Sequence, residues 1–109
     1  MKKKKFLDNK KNAQSVHFKK RMIERYNIYF NNADKRQMIK DVQCNNKEVE
    51  FLYKQSNTKT VWRILIQNKN IPIVYDNKRQ NLVTCLTWKM VNENLLEMSN
   101  SMSNDFYDQ

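Results

Sequence analysis

Apolar residues along the first third of the chain recur with helical spacing. Phe18, Met22 and Tyr26 stand four apart with Ile23 beside them, which predicts a helix over residues 16–26 with Ser15 as its N-cap. Asn31-Asn32 interrupts the pattern, and Asn32 is placed to cap a second helix over residues 33–43 whose buried edge is Met38, Ile39 and Val42. Asp34 lies near its start, where the helix dipole favours an anion, and Asn45-Asn46 ends it. From Glu48 the period drops to two. Val49, Phe51 and Tyr53 alternate with Glu50, Leu52 and Lys54 in a first strand, and Ser56-Asn57-Thr58 supplies a turn. Residues 60–66, 71–75 and 82–88 read as three further strands, linked by Gln67-Asn68-Lys69-Asn70 and by residues 76–81. Residues 90–98 suit a short terminal helix around Val91, Leu95 and Leu96.

Such short links predict an antiparallel meander of four strands, preceded by two helices, hence an α+β fold with helices on one sheet face. The chain has no glycine, so asparagine is the least costly residue for left-handed backbone, and it recurs at each expected turn. Pro72 donates no ladder hydrogen bond and belongs at a strand edge or among the first strand residues. The later strands are apolar on both faces, with Trp62, Ile64 and Ile66 opposed to Val61 and Leu65, and Leu82 and Leu86 opposed to Val83 and Cys85. One helical layer hides one face. The other needs the C-terminal helix, a second copy in a homodimer or a partner protein, or else forms a cleft.

At 109 residues the chain has room for one domain, expected over residues 14–98, with a disordered basic arm at 1–13 and a flexible acidic tail at 99–109. Its formal net charge is +10, and residues 1–20 hold eight lysines and one aspartate. A basic excess of this kind favours polyanionic partners through counterion release, although a lysine arm is also simply a solvated tail. No apolar run suits a bilayer, so no membrane partner is expected. The basic start at Lys2-Lys3-Lys4-Lys5 is followed by Phe6-Leu7 and then Asp8-Asn9-Lys10-Lys11, without the apolar segment that export requires. A cytoplasmic location is therefore expected.

Candidate chemistry centres on the first helix. His17, Arg21, Glu24 and Arg25 fall at i, i+4, i+7 and i+8, so their heads can share a face. Histidine can move a proton near neutral pH and guanidinium groups can hold a phosphodiester, which are parts sufficient for RNA cleavage by the substrate's own 2′-hydroxyl. On spacing alone the better-supported reading is a solvent face in which Glu24 pairs with Arg21 or Arg25 and His17 is merely polar. Arg63 sits mid-strand among apolar neighbours, either as a phosphate ligand beside Thr84 or Tyr75 or as the cross-strand partner of Glu50. Tyr53, Trp62, Tyr75 and Trp88 suit a core; interleaved with Lys54, Lys59, Arg63 and Lys89 they also suit a single-stranded RNA surface. A phosphate loop needs glycine, and Cys44 and Cys85 fit no metal-ligand spacing, so neither cofactor nor metal is expected. Cys85, inside a strand, reads as a small buried hydrophobe.

The sequence His17-x-x-x-Arg21-x-x-Glu24-Arg25 opening a helix, followed by strands containing Ile73-Val74-Tyr75-Asp76 and Leu82-Val83-Thr84-Cys85-Leu86, resembles small RelE/ParE-like toxin domains of the barnase–EndoU–colicin–RelE ribonuclease group, phage members included. The resemblance implies a metal-independent endoribonuclease or translation-targeting toxin acting on RNA or the ribosome, with an antitoxin or host protein as a further partner. It makes His17 the general acid or base, Arg21 and Arg63 phosphate ligands, and Thr84 and Tyr75 polar contacts. Apart from the resemblance, Arg25, Lys54, Lys59, Tyr75 and Lys89 are the expected nucleic-acid contacts. The segment after Thr84 departs from the pattern, offering Thr87, Trp88 and Lys89 where many such toxins carry catalytic His, Tyr or Arg. The other reading is a non-catalytic phage module that binds nucleic acid or protein through the basic arm and the uncovered sheet face.

Overall fold

The computed structural model describes the backbone of residues 2–107 and the side chains of residues 10–99. Helices α1 (Lys2–Tyr26) and α2 (Asn32–Cys44) precede strands β1 (Val49–Lys54), β2 (Lys59–Ile66), β3 (Lys69–Asp76) and β4 (Asn81–Cys85), and α3 (Trp88–Tyr107) follows. The sheet is antiparallel in the order β1-β2-β3-β4, the meander that the short links predict.

α1 begins well ahead of the expected cap. No glycine or proline interrupts residues 2–26, and Lys, Gln, Ala, Met and Arg are strong helix formers. Ser15 is therefore inside the helix, and its hydroxyl donates to the Lys11 carbonyl one turn back (3.0 Å). The helix covers residues 2–13, expected as a separate disordered arm; the side chains of residues 1–9 lie outside the described residues, as do those of most of the expected tail. α2 is capped one residue earlier than expected. The Asn31 side chain accepts from the Asp34 amide at 2.8 Å while Asp34 accepts from the Asn31 amide at 3.4 Å, a reciprocal capping box. Left-handed backbone falls at Asn27, Asn45 and Asn68, and also at Gln67 and Gln80. Gln67 and Asn68 are the two central residues of the tight β2–β3 hairpin, both with positive φ, which keeps the turn's twist in step with the strands.

Two cores lie on opposite sheet faces. Phe18 and Met22 of α1 and Met38 and Val42 of α2 pack with Val49, Ile64, Ile66, Ile71, Ile73, Tyr75, Leu82 and Cys85. The other face holds Tyr53, Val61, Val74 and Leu86 against Val91 of α3, so the terminal helix supplies cover for the second apolar face. A register shift between Phe51 and Tyr53 explains how β1 serves both. The bulge breaks strict alternation, leaving Val49 in the first core, Tyr53 in the second, and Phe51 half-exposed edge-on to Trp62.

α1 lies along the edge strand β4. At one end Gln14 receives a hydrogen bond from Asn81 (3.1 Å), and at the other Tyr26 donates to the Leu86 carbonyl (2.5 Å). Twelve helical residues rise about 18 Å and five strand residues span about 17 Å, so the two run side by side. Arg25 donates to the Cys85 carbonyl, an acceptor that an edge strand otherwise leaves open. Pro72, against expectation, sits inside the central strand β3 and is buried. Its carbonyl accepts from the Leu86 amide (2.8 Å), which shows that its nitrogen also faces the β4 side, just past the end of that strand at Cys85. The missing N–H falls at the end of the β3–β4 ladder, where the Leu86 carbonyl accepts from Tyr26 instead.

Candidate nucleic-acid interface

The four residues foreseen as a cleavage site do not converge. His17 is exposed on α1, whose Phe18 and Met22 define the first core. Arg21 is bound to Glu24 at 2.7 Å, and Lys20 approaches the same carboxylate at 4.0 Å, so the helix face is the salt-bridged one. Arg63 follows Val61 by two residues and projects with it onto the α3 side, where it meets Glu50 (3.5 Å) and the Asn70 amide oxygen (2.8 Å). Thr84 pairs with Val74 and so shares that face; its hydroxyl donates to the Cys85 carbonyl at 3.3 Å. Arg63 and Thr84 thus lie across the sheet from His17 and Arg21. Strand parity separates them, because the buried residues of β2 and β4 that face the helices are Ile64, Ile66, Leu82 and Cys85.

Tyr75 is buried (4% exposed) and its hydroxyl accepts from Gln43 at 3.1 Å, which removes it as a stacking surface. Tyr53 is likewise buried and accepts from Asn94 at 2.9 Å. Arg25 is occupied by the Cys85 carbonyl. Burial pushes the Cys85 thiol up against the opposing pull of Arg25 and Arg21, so Cys85 is the inert small hydrophobe expected. Burial also raises the Tyr26 phenol, with Cys85 adding to it. A hollow of about 580 Å³ lies between the end of α2 and the sheet, lined by Gln43, Asn45, Trp62, Tyr75, Asn77 and Gln80 with Val42, and among the described residues no charged side chain lines it.

What the fold does gather is lysine. In the antiparallel register, the end of β1, the start of β2, the end of β3 and the start of β4 meet at one edge of the sheet. Lys54 and Lys59 flank the β1–β2 turn, Lys78 lies in the β3–β4 turn, and α1 passes that turn at the level of Gln14, one turn after Lys10. Four strands span about 14 Å across, so cations from three separate segments line one narrow rim. Among the described residues, none of Lys10, Lys54, Lys59 and Lys78 is in an ion pair. Lys89, at the start of α3 after β4 has ended, belongs to the far end of the sheet with Arg63.

Two carboxylates lie near this rim: Glu97 of α3 is exposed and shares a surface pocket with Lys54, whereas Asp76 is withdrawn from the surface. Asp76 is fully buried and accepts from Gln14 (3.0 Å), the Lys78 and Arg79 amides (2.9 and 3.0 Å) and the Arg79 guanidinium (3.2 Å). Burial pushes its pKa up, and the four hydrogen bonds outweigh burial and hold it below the ordinary carboxylate value. Asn81, also buried, donates to the Lys11 carbonyl and to Gln14 (both 3.1 Å), so this polar knot ties α1 to the β3–β4 turn. Sequence reading treats residues 76–81 as a turn alone; the Asp76-Asn77-Lys78-Arg79 order is the local signal of the Asx turn, but Gln14 is 62 residues away. No family model, curated protein or solved structure matches this chain.

Proposed function

We propose that the protein binds nucleic acid through its phosphate backbone, at the lysine rim formed by Lys10, Lys54, Lys59 and Lys78. The observation that carries this reading is the gathering of unpaired cations from three segments around a carboxylate that is buried and already satisfied. α1 extends the positive field, since it holds ten cations and two carboxylates, +8 of the chain's +10. Phosphate contacts of this kind position a strand and add affinity without reading its sequence. The apolar and aromatic side chains nearby are largely committed to the cores, so affinity comes from charge rather than from stacking.

The test is binding of a single-stranded oligonucleotide across a salt series. Four phosphate contacts give a slope of about −3 in log K against log salt, and the double variant Lys54→Gln/Lys78→Gln reduces its magnitude by about 1.4. Arg63→Gln and Lys89→Gln leave it unchanged. A flat salt dependence overturns the reading. RNA cleavage by the wild type that His17→Ala abolishes would replace it with the ribonuclease reading, and requires a rearrangement that brings the two sheet faces' residues together.

A further inference from the structure

A second cation cluster lies on the other flank of α1. Lys11, Ser15 and Lys19 recur at spacing four and form one stripe, which α2 approaches. Lys35, in the first turns of α2, is only 7% exposed and its ammonium donates to the Ser15 hydroxyl. Lys19 donates to the Asn32 side-chain oxygen at 2.6 Å. Among the described residues no carboxylate pairs with Lys11, Lys19 or Lys35. Asp34, next to Lys35, is turned to the Asn31 amide in the capping box.

This arrangement is unfavourable as it stands. Burial, then Lys19, then Lys11 lower the Lys35 pKa from 10.5 to about 8. The buried ammonium has one neutral acceptor, the Ser15 hydroxyl, and sits in a field set by two further ammonium groups. An anion between the helices counters the repulsion and offsets the burial: it accepts hydrogen bonds, neutralises the cluster and raises the lysine's basicity.

We infer that the seam between α1 and α2 is a binding site for a dianionic phosphate group, held by Lys35, Lys19 and Lys11. Three ammonium donors match a phosphate with three free oxygens and close to two negative charges better than a diester with two free oxygens and one charge. Inorganic phosphate and the terminal phosphate of a nucleic-acid strand share that chemistry. The first is independent of the nucleic-acid reading above; the second rests on it.

The experiment compares melting of the full chain in sodium phosphate and in sodium chloride at matched ionic strength, for the wild type, Lys35→Met and the outlying Lys40→Gln. Saturable stabilisation by phosphate in the wild type and in Lys40→Gln, lost at least tenfold in apparent affinity in Lys35→Met, supports the site. Equal stabilisation of wild type and Lys35→Met, or none in either, overturns it. Lys35→Met removes a buried charge and leaves Ser15 bonded to the Lys11 carbonyl, so the variant folds. A 5′-phosphorylated oligonucleotide that binds the wild type about tenfold more tightly than its 5′-hydroxyl counterpart, with no such difference in Lys35→Met, assigns the terminal phosphate. Equal binding of the two strands, with phosphate stabilisation intact, assigns the free ion. Loss of strand binding altogether with phosphate stabilisation intact refutes the nucleic-acid reading and leaves this site standing.

Discussion

Replacing Lys35 by methionine should stabilise the protein at neutral pH, and the gain should disappear in alkali. The unfolded lysine titrates near 10.5 and the folded one at about 8, because the folded state buries the ammonium beside Lys19 and Lys11. Below pH 8 the lysine is charged in both states, so folding carries the whole penalty. Between about 8 and 10.5 the unfolded chain binds more protons, and stability rises with pH; above 10.5 the lysine is neutral in both states and the penalty is gone. The interval corresponds to a ceiling of roughly 3 kcal/mol. Screening of the neighbouring exposed lysines brings the realistic figure to about 1–2 kcal/mol. For a domain of this size that is about 5–10 °C in melting temperature. Paired denaturant titrations of wild type and Lys35→Met at steps from pH 6 to 10.5 in chloride measure it. A variant that is less stable at pH 7, or whose advantage stays constant across the series, would show that the buried ammonium is not the cause.

Asp76→Ala should cost about 3–5 kcal/mol in denaturant unfolding, because it strands the Arg79 guanidinium and removes the acceptor for Gln14. The same carboxylate, with its folded pKa held below the ordinary 3.8, contributes stability that is complete above that value and is lost as pH falls through the folded one; an acid titration of the Asp76→Asn variant should lack that limb. Asn31→Ala should remove about 1 kcal/mol through the α2 capping box, read as a lowered denaturant midpoint with unchanged slope. His17→Ala should leave the melting temperature within about a degree, since the imidazole is exposed on the outer flank of α1. A Glu50→Gln/Arg63→Gln double-mutant cycle should give a coupling of about 0.2–1 kcal/mol, the worth of a half-exposed cross-strand pair.

Element type and order were legible from the chain alone. Spacing four at Phe18, Met22 and Tyr26, and period two from Val49 onward, are local consequences of backbone geometry, as are the asparagines at Asn45 and Asn68 where left-handed backbone is needed; Asn27, Gln67 and Gln80 take it without having been singled out. Short links then leave little choice but a meander. The burial of Cys85 and the pairing of Arg63 with Glu50 were among the alternatives that spacing allowed. Ser15 misled because its propensity as a cap holds only where a helix begins, and the lysine-rich segment before it also takes helical backbone.

What tertiary structure decided is which residues share a side. One bulge in β1 moved Tyr53 to the opposite core from Val49, and strand parity put Arg63 and Thr84 across the sheet from His17 and Arg21. The lysine rim exists because antiparallel pairing brings residues 54, 59 and 78 to one edge, and the α1–α2 seam exists because two helices share a core. Periodicity along a chain determines the face a side chain takes within its own element. The meeting of two faces depends on register and packing between segments far apart, where a shift of a single residue reverses the outcome.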